Sequence, residues 1–323
     1  MKRNKTKRKY GGTYVVKVLI LCHTEPVYAE FDESVAEFDE SVAEFDESVA
    51  EFDTFKIKGH WMNSDKEIKK ILKDKMKEKC TKNIKFDTVD NLQLLINHLE
   101  NIGYDGEAVK QRLNERAIDN NTNAKKLGGN FFFSDAFDPE FIKKHLSKYD
   151  VIMVPDCNNK YMNLQLKKSS DGKYELLPFI LICLELTKML KPSGTIQFSK
   201  FLEFNKCIVP NNIKVLDDDK YEALHTALKD DTDAEFLDQL RPMYKESVEY
   251  DNGHLALASA LEYNKFRVKQ SDCDFGKMLV ATTKPQSQQK PNSSVACAVM
   301  GGKSIKTKKK ERKRKVREPT VPL

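Results

Sequence analysis

At 323 residues with 40% hydrophobic side chains, the chain can form one large domain or two small ones with a real core. Seven scattered cysteines show no CxxC pair or Cys/His ligand spacing, and the six histidines no HxxxH or HExxH pattern, which argues against a metal site. No apolar run reaches the roughly 18 residues of a membrane span; residues 176–190 come nearest and are broken by Pro178, Glu185 and Lys188, so no membrane partner is expected.

Net charge is +6, unevenly placed. Six basic groups at residues 2–9, and ten against Glu311 and Glu318 at residues 303–318, give the arms a net +14 and leave the rest at −8. The pI near 8.7 therefore describes the arms, and the body is mildly acidic. A basic DNA-binding body is not supported; basic arms are. Single cysteines in apolar runs read as reduced thiols, so an intracellular, reducing compartment is the default.

Residues 1–13 read as a disordered basic arm. YVVKVLILC, residues 14–22, is a buried strand; Lys17 and the lack of a small-residue cleavage site argue against a signal peptide. AEFDESV then starts at Ala29, Ala36 and Ala43, with a partial copy at Ala50. Phe31, Val35, Phe38, Val42, Phe45, Val49 and Phe52 alternate spacings of four and three, a helical seam, so a helix is predicted across residues 29–53. The identical copies favour tandem duplication over a selected docking helix.

A helix is predicted at residues 66–79, a strand at 84–90, helices at 92–101 and 106–117, and a polar loop at 119–129. A short strand follows at 131–133 and a helix at 138–148. YDVIMVPDC is a buried strand, and LLPFILICLELTKMLKPSGTIQFSKF an apolar helix, a Lys-Pro-Ser-Gly turn and another strand. Helices are predicted at 218–228, 233–240 and 253–262. Two last strands, near 265–270 and 277–283, should pair antiparallel across a short Ser/Asp/Gly link. From residue 286 the chain reads as a disordered basic tail.

Strand–helix alternation specifies a mostly parallel α/β sheet, in which ligands bind beyond the carboxyl ends of the strands. Polar groups stand at four such ends: Cys22-His23-Thr24-Glu25, then Asp87 and Asp90, then Asp135, then Asp156. A carboxylate past the second strand can accept both ribose hydroxyls; one past the third can accept an adenine amino proton. Aspartate at a strand end also serves as a helix N-cap. His23 is the best single candidate for acid–base work, and a plain hydrogen-bonding role suits it as well.

FDTVD, FFFSDAF, YDVIMVPDC, LKPSGTIQF and the final pair NKFRVKQ and KMLVATTKP are similar to the second to seventh strands of class I S-adenosylmethionine-dependent methyltransferases. The resemblance covers residues 14–285 and implies a Rossmann-like sheet of seven strands, six parallel, the last antiparallel. It implies S-adenosylmethionine as cofactor, with Asp90 at ribose, Asp135 and Ala136 framing adenine, and Glu25 in the loop after the first strand. Asp156 then faces the acceptor. The family's glycine-rich loop has no counterpart: His23-Thr24-Glu25-Pro26 stands there, without glycine. The expected function is methyl transfer to an unidentified acceptor; the alternative is a non-enzymatic structural or nucleic-acid-associated protein that keeps the fold. The run from Lys303 to Arg317 and the N-terminal arm suit a nucleic-acid partner or nuclear import. The termini resemble those of proteins from large nucleocytoplasmic DNA viruses, which would place the chain in host cytoplasm, nucleus or virion.

Overall fold

The computed structural model describes residues 14–23, 25–31, 55–58, 66–79, 81–155, 167–201, 206–229, 246–273 and 276–284. The chain divides into Met1–Ser287 and Gln288–Leu323, and the second unit lies outside the described residues. So do residues 1–13 and the helix predicted at 233–240.

Two central strands set the frame. β1 (Val16–Leu21) is buried at every position but Lys17, and β6 (Tyr149–Val154) at every position. Burial on both faces is why they read as continuous aliphatic runs rather than alternations. β4 (Ile84–Asp90) and β5 (Phe131–Phe133) lie to one side; β9 (Leu190–Phe201), β13 (Gly276–Thr283) and β12 (Phe266–Cys273) lie to the other. The order is β12-β13-β9-β6-β1-β4-β5. β1 is parallel to β4 and β6, β4 to β5, and β6 to β9. β13 runs antiparallel to both β9 and β12. Six parallel strands and an antiparallel last one are the class I methyltransferase-like arrangement read from the sequence.

The larger core covers one face with α4 (Pro139–Lys144), α5 (Leu177–Leu186), α6 (Asp218–Lys229) and α7 (Gly253–Tyr263). Every residue of α5 is buried, so its apolar surface has no polar stripe. The smaller core covers the other face with α1 (Lys66–Glu78), through Ile68, Leu72 and Met76, and with Ile57 of a hairpin. That hairpin pairs β2 (Tyr28–Phe31) with β3 (Phe55–Lys58), Phe31 opposite Phe55. Ala29, Glu30 and Phe31, which open the heptad repeat, are therefore extended where a helix was predicted: cross-strand pairing outweighs the helical seam. Residues 32–54 lie outside the described residues.

α2 (Leu92–Asn101) and α3 (Gly106–Lys126) connect β4 to β5. α3 runs through the segment read as a polar loop. Leu113, Ala117 and Ala124 pack against Phe131 at helical spacing, and two alanines among polar neighbours are a weak apolar stripe. The Lys-Pro-Ser-Gly turn is instead an irregularity inside β9. Leu190 pairs with Tyr149 and Thr195 with Val151, so the residues between are looped out, with Ser193 at φ 64. A side chain at Gly194 would meet the Lys191 carbonyl oxygen at 2.8 Å. Asp150, 2% exposed, holds this bulge: Oδ2 accepts from the Lys17 backbone N–H at 2.9 Å and from Lys191 Nζ at 2.6 Å.

A second sheet, β11-β10-β8-β7, was not foreseen. β7 (Lys167–Lys168), β8 (Tyr174–Glu175), β10 (Cys207–Pro210) and β11 (Ser247–Tyr250) are two to four residues long, too short to show an alternation.

Candidate functional site

The strand order reverses at β1. The chain leaves β1 for β4 and β5 on one side, then returns through β6 to build the other. Open α/β sheets bind ligands in the crevice outside the carboxyl ends at such a reversal. Cys22 and His23, Asp90, and Ser134 to Ala136 follow strands that end on this edge. Asp156 and Thr24 lie outside the described residues.

Cys22 follows β1 at φ 54, the left-handed region that favours glycine. Its side chain packs against the larger core, and it is disulfide-bonded. This departs from the reading of single cysteines in apolar runs as reduced thiols. Cys183 and Cys207 are buried and not disulfide-bonded, and burial pushes both thiols up in pKa. The missing glycine thus did not prevent a left-handed turn at this strand end. Nothing in residue type signalled that, because a bond to a distant sulfur leaves no local pattern.

His23 is 7% exposed, and its backbone N–H donates to Val89 O at 3.4 Å. Its Nδ1 lies 2.7 Å from Glu25 O and 3.2 Å from Glu25 N. One ring nitrogen cannot donate to the first and accept from the second together. The shorter contact needs a proton on Nδ1, and we assign Nδ1–H as donor to the carbonyl. The imidazole therefore clasps its own turn. Glu25 is exposed and its carboxylate lies 3.1 Å from Arg116 of α3, a pairing that sequence reasoning missed because 91 residues separate the partners.

Asp90 closes β4, opposite Phe133, and its carbonyl accepts from Ser134 N–H at 3.2 Å. Asp135 Oδ1 accepts from Phe137 N–H at 2.9 Å, so part of this carboxylate shapes the turn after β5. Ala136 is buried at the base of that turn. Asp138 caps α4 by accepting from Glu140 N–H at 2.9 Å. Phe133 is 42% exposed beside Asp90, an aromatic surface the sequence reading passed over.

Asp87, grouped with Asp90 in the sequence, belongs to a different structure. Oδ1 accepts from Asn130 N and Nδ2, both at 2.9 Å, and Oδ2 from the Tyr149 hydroxyl at 3.0 Å. Burial, then the Asp87 charge, drives the Tyr149 phenol far above its ordinary pKa. His145 stacks between Phe141 and Tyr149, and burial lowers its pKa. This network joins β4, β5 and β6 inside the fold and leaves Asp87 no place in the crevice. No group of three or more metal-ligating side chains occurs among the described residues, and no described helix is long and apolar enough to cross a membrane.

No protein-family model and no curated protein matches the sequence. The chain is similar to several solved structures. One is an O-methyltransferase family protein from Burkholderia thailandensis: 10% identity, 84% of this chain, 51% of that one, TM-score 0.30. A second is the CMeT domain of the citrinin polyketide synthase: 8% identity, 85% of this chain, 48% of that one, TM-score 0.33. A third, from Methanococcus maripaludis, is described as an S-adenosylmethionine-dependent methyltransferase: 10% identity, 87% of this chain, 83% of that one, TM-score 0.31. The chain spans about half the length of the first two. The fold assignment rests on strand order and direction, not on these superpositions.

Proposed function

We propose that the domain is a methyltransferase-like protein that binds S-adenosylmethionine at the carboxyl edge around β1, β4 and β5. One observation carries this: Asp90 ends β4 directly beside the strand whose order reverses, where a carboxylate can accept from both hydroxyls of a ribose. Asp135 and Ala136 would frame the adenine, with Phe133 offering a ring to the base. The amino-acid end would meet the turn at Cys22 and His23, with Glu25 at its rim. Bound there, the cofactor supplies an electrophilic methyl group.

The chain's own contribution is to hold and to deprotonate. At the left-handed turn the Cys22 side chain packs on the larger core. With its proton on Nδ1, His23 has Nε2 as its basic nitrogen, suited to taking a proton from an acceptor. Asp156 is assigned to the acceptor side on sequence position alone. The acceptor is not identified by these groups. The Lys/Arg-rich arms make a phosphate backbone the macromolecular partner we propose, and deleting residues 286–323 should then reduce the salt dependence of nucleic-acid binding.

Calorimetric titration of the full chain with S-adenosylhomocysteine tests the reading. Saturable 1:1 binding is expected, and no heat at millimolar ligand would contradict it.

A further inference from the structure

We propose that the groove between α1 and the terminal strands β12 and β13 binds a mononucleotide, at a site separate from the cofactor crevice. The groove offers about 300 Å³, the lower end of the range for small-ligand sites. One stripe of α1 forms a wall, Arg267 and Lys269 of β12 form another, and Thr195, Val280 and Thr282 form the floor. Thr195 pairs with Thr282, and Gln197 with Val280, across β9 and β13. All four side chains therefore share one sheet face. Gln197 is fully buried there, yet neither its amide nitrogen nor its amide oxygen has a hydrogen-bond partner. Folded chains satisfy nearly all such groups, because leaving one unmade costs more than making it gains. A donor and an acceptor left open on one side chain, on the face that floors a groove, fit a ligand that presents the matching pair.

A nucleobase edge presents that pair. Adenine carries its N6 amino donor beside the N7 acceptor, and a glutamine amide meets both. The base reaches the covered amide through a side-chain shift at the floor, where half-buried Val280 stands beside it. The basic wall suits a phosphate. Arg267 and Lys269 are exposed, on one face of β12, and neither has a carboxylate partner among the described residues. Lys75 takes no part, since Glu78 and the Ser193 carbonyl hold its ammonium group. Asp74 of α1 can accept from ribose hydroxyls, and the Thr195 and Thr282 hydroxyls, 3.1 Å apart, line the floor below. No residue of the groove belongs to the carboxyl edge at Cys22, Asp90 or Asp135, so the site does not depend on the cofactor reading.

The test is calorimetric titration of the full chain with AMP, adenosine or inorganic phosphate, with S-adenosylhomocysteine saturating so that the crevice is occupied. AMP should bind 1:1 and more tightly than either fragment. Replacing the two surface cations together, Arg267→Ala with Lys269→Ala, should weaken AMP about tenfold and leave adenosine unchanged. Gln197→Leu should weaken AMP and adenosine alike, about tenfold, and leave phosphate unchanged. Circular dichroism checks folding, and the surface pair decides alone if Gln197→Leu does not fold. No binding of AMP, phosphate binding as tightly as AMP, or AMP affinity unmoved by the variants would overturn the proposal. If S-adenosylhomocysteine does not bind, the cofactor reading fails, and amide exchange with AMP then decides the groove separately. Slowed exchange in α1, β12 and β13 is expected; protection confined to Ser134–Phe137, or none, refutes the site.

Discussion

β4 carries two aspartates three residues apart. Asp87 is 6% exposed and takes three donors from Asn130 and Tyr149. Asp90 is half-buried at the strand's last position, on the crevice edge. β6 repeats the first kind at its amino end, where Asp150 is closed in by Lys17 and Lys191. The two differ in burial and in place along the strand, not in residue type. A buried aspartate whose oxygens are filled by fixed protein donors holds elements together; Asp90, at the reversal of strand order, is the one we propose to meet a ligand.

The comparison can be broken first at its structural end. Asp150→Ala leaves Lys191 and the Lys17 N–H without their acceptor, and should cost about 3 kcal/mol of unfolding free energy in urea. Asp87→Ala should cost a similar amount. Affinity of the folded fraction for S-adenosylhomocysteine should not change in either; a large loss in affinity would put these residues in the site after all.

Glu185 is a third kind, buried at 1% exposure with incomplete compensation. Oε1 accepts from Leu216 N–H at 3.0 Å, while Oε2 has Lys188 Nζ at 2.6 Å as an ion pair without the alignment of a hydrogen bond. Burial raises its pKa from 4.5 to about 7, against the opposing pull of Lys188. The folded state thus holds the proton more tightly than the unfolded one. That stabilisation is complete below the unfolded value and is lost as pH rises through about 7. Between pH 5 and 8 wild type should lose about 2 kcal/mol relative to Glu185→Gln, read from denaturation curves. Parallel pH profiles would contradict the assignment.

Asp90→Ala sharpens the functional end. Affinity for S-adenosylhomocysteine should fall about tenfold, near 1.4 kcal/mol, with stability within about 0.5 kcal/mol of wild type. The reverse pattern would place Asp90 with Asp87.

The smallest effect is expected at the repeat. Phe31 and Phe55 are paired, so residues 32–54 are the connection of a hairpin. Deleting residues 32–45, two repeat units, should stabilise by no more than about 0.8 kcal/mol, since loop closure depends only weakly on length. A loss of several kcal/mol would show that the repeat packs on the domain.

The sheet was legible because its strands are long or fully buried: Val16–Leu21, Ile84–Asp90, Tyr149–Val154 and the terminal pair each declare themselves. Asp90 is read from where Ile84–Asp90 stops, and Asp135 and Ala136 from the short aromatic strand Phe131–Phe133 before them. The accessory sheet was not legible, because strands of two to four residues carry no period. The C-terminal half of α3 was hidden by the small size of the alanines that anchor it. Asp87 and Asp90 looked alike because the donors that separate them, Asn130 and Tyr149, are distant in sequence. The left-handed turn at Cys22 was not legible, because a residue other than glycine does not announce a positive φ.

The most direct test of the central claim is amide exchange across the oxidised chain with and without saturating S-adenosylhomocysteine. Slowed exchange at Cys22 and His23, at Asp90 and Asn91, and at Ser134 to Phe137 is the predicted result. Protection confined to other segments, or none at all, would contradict a cofactor crevice at the reversal of strand order.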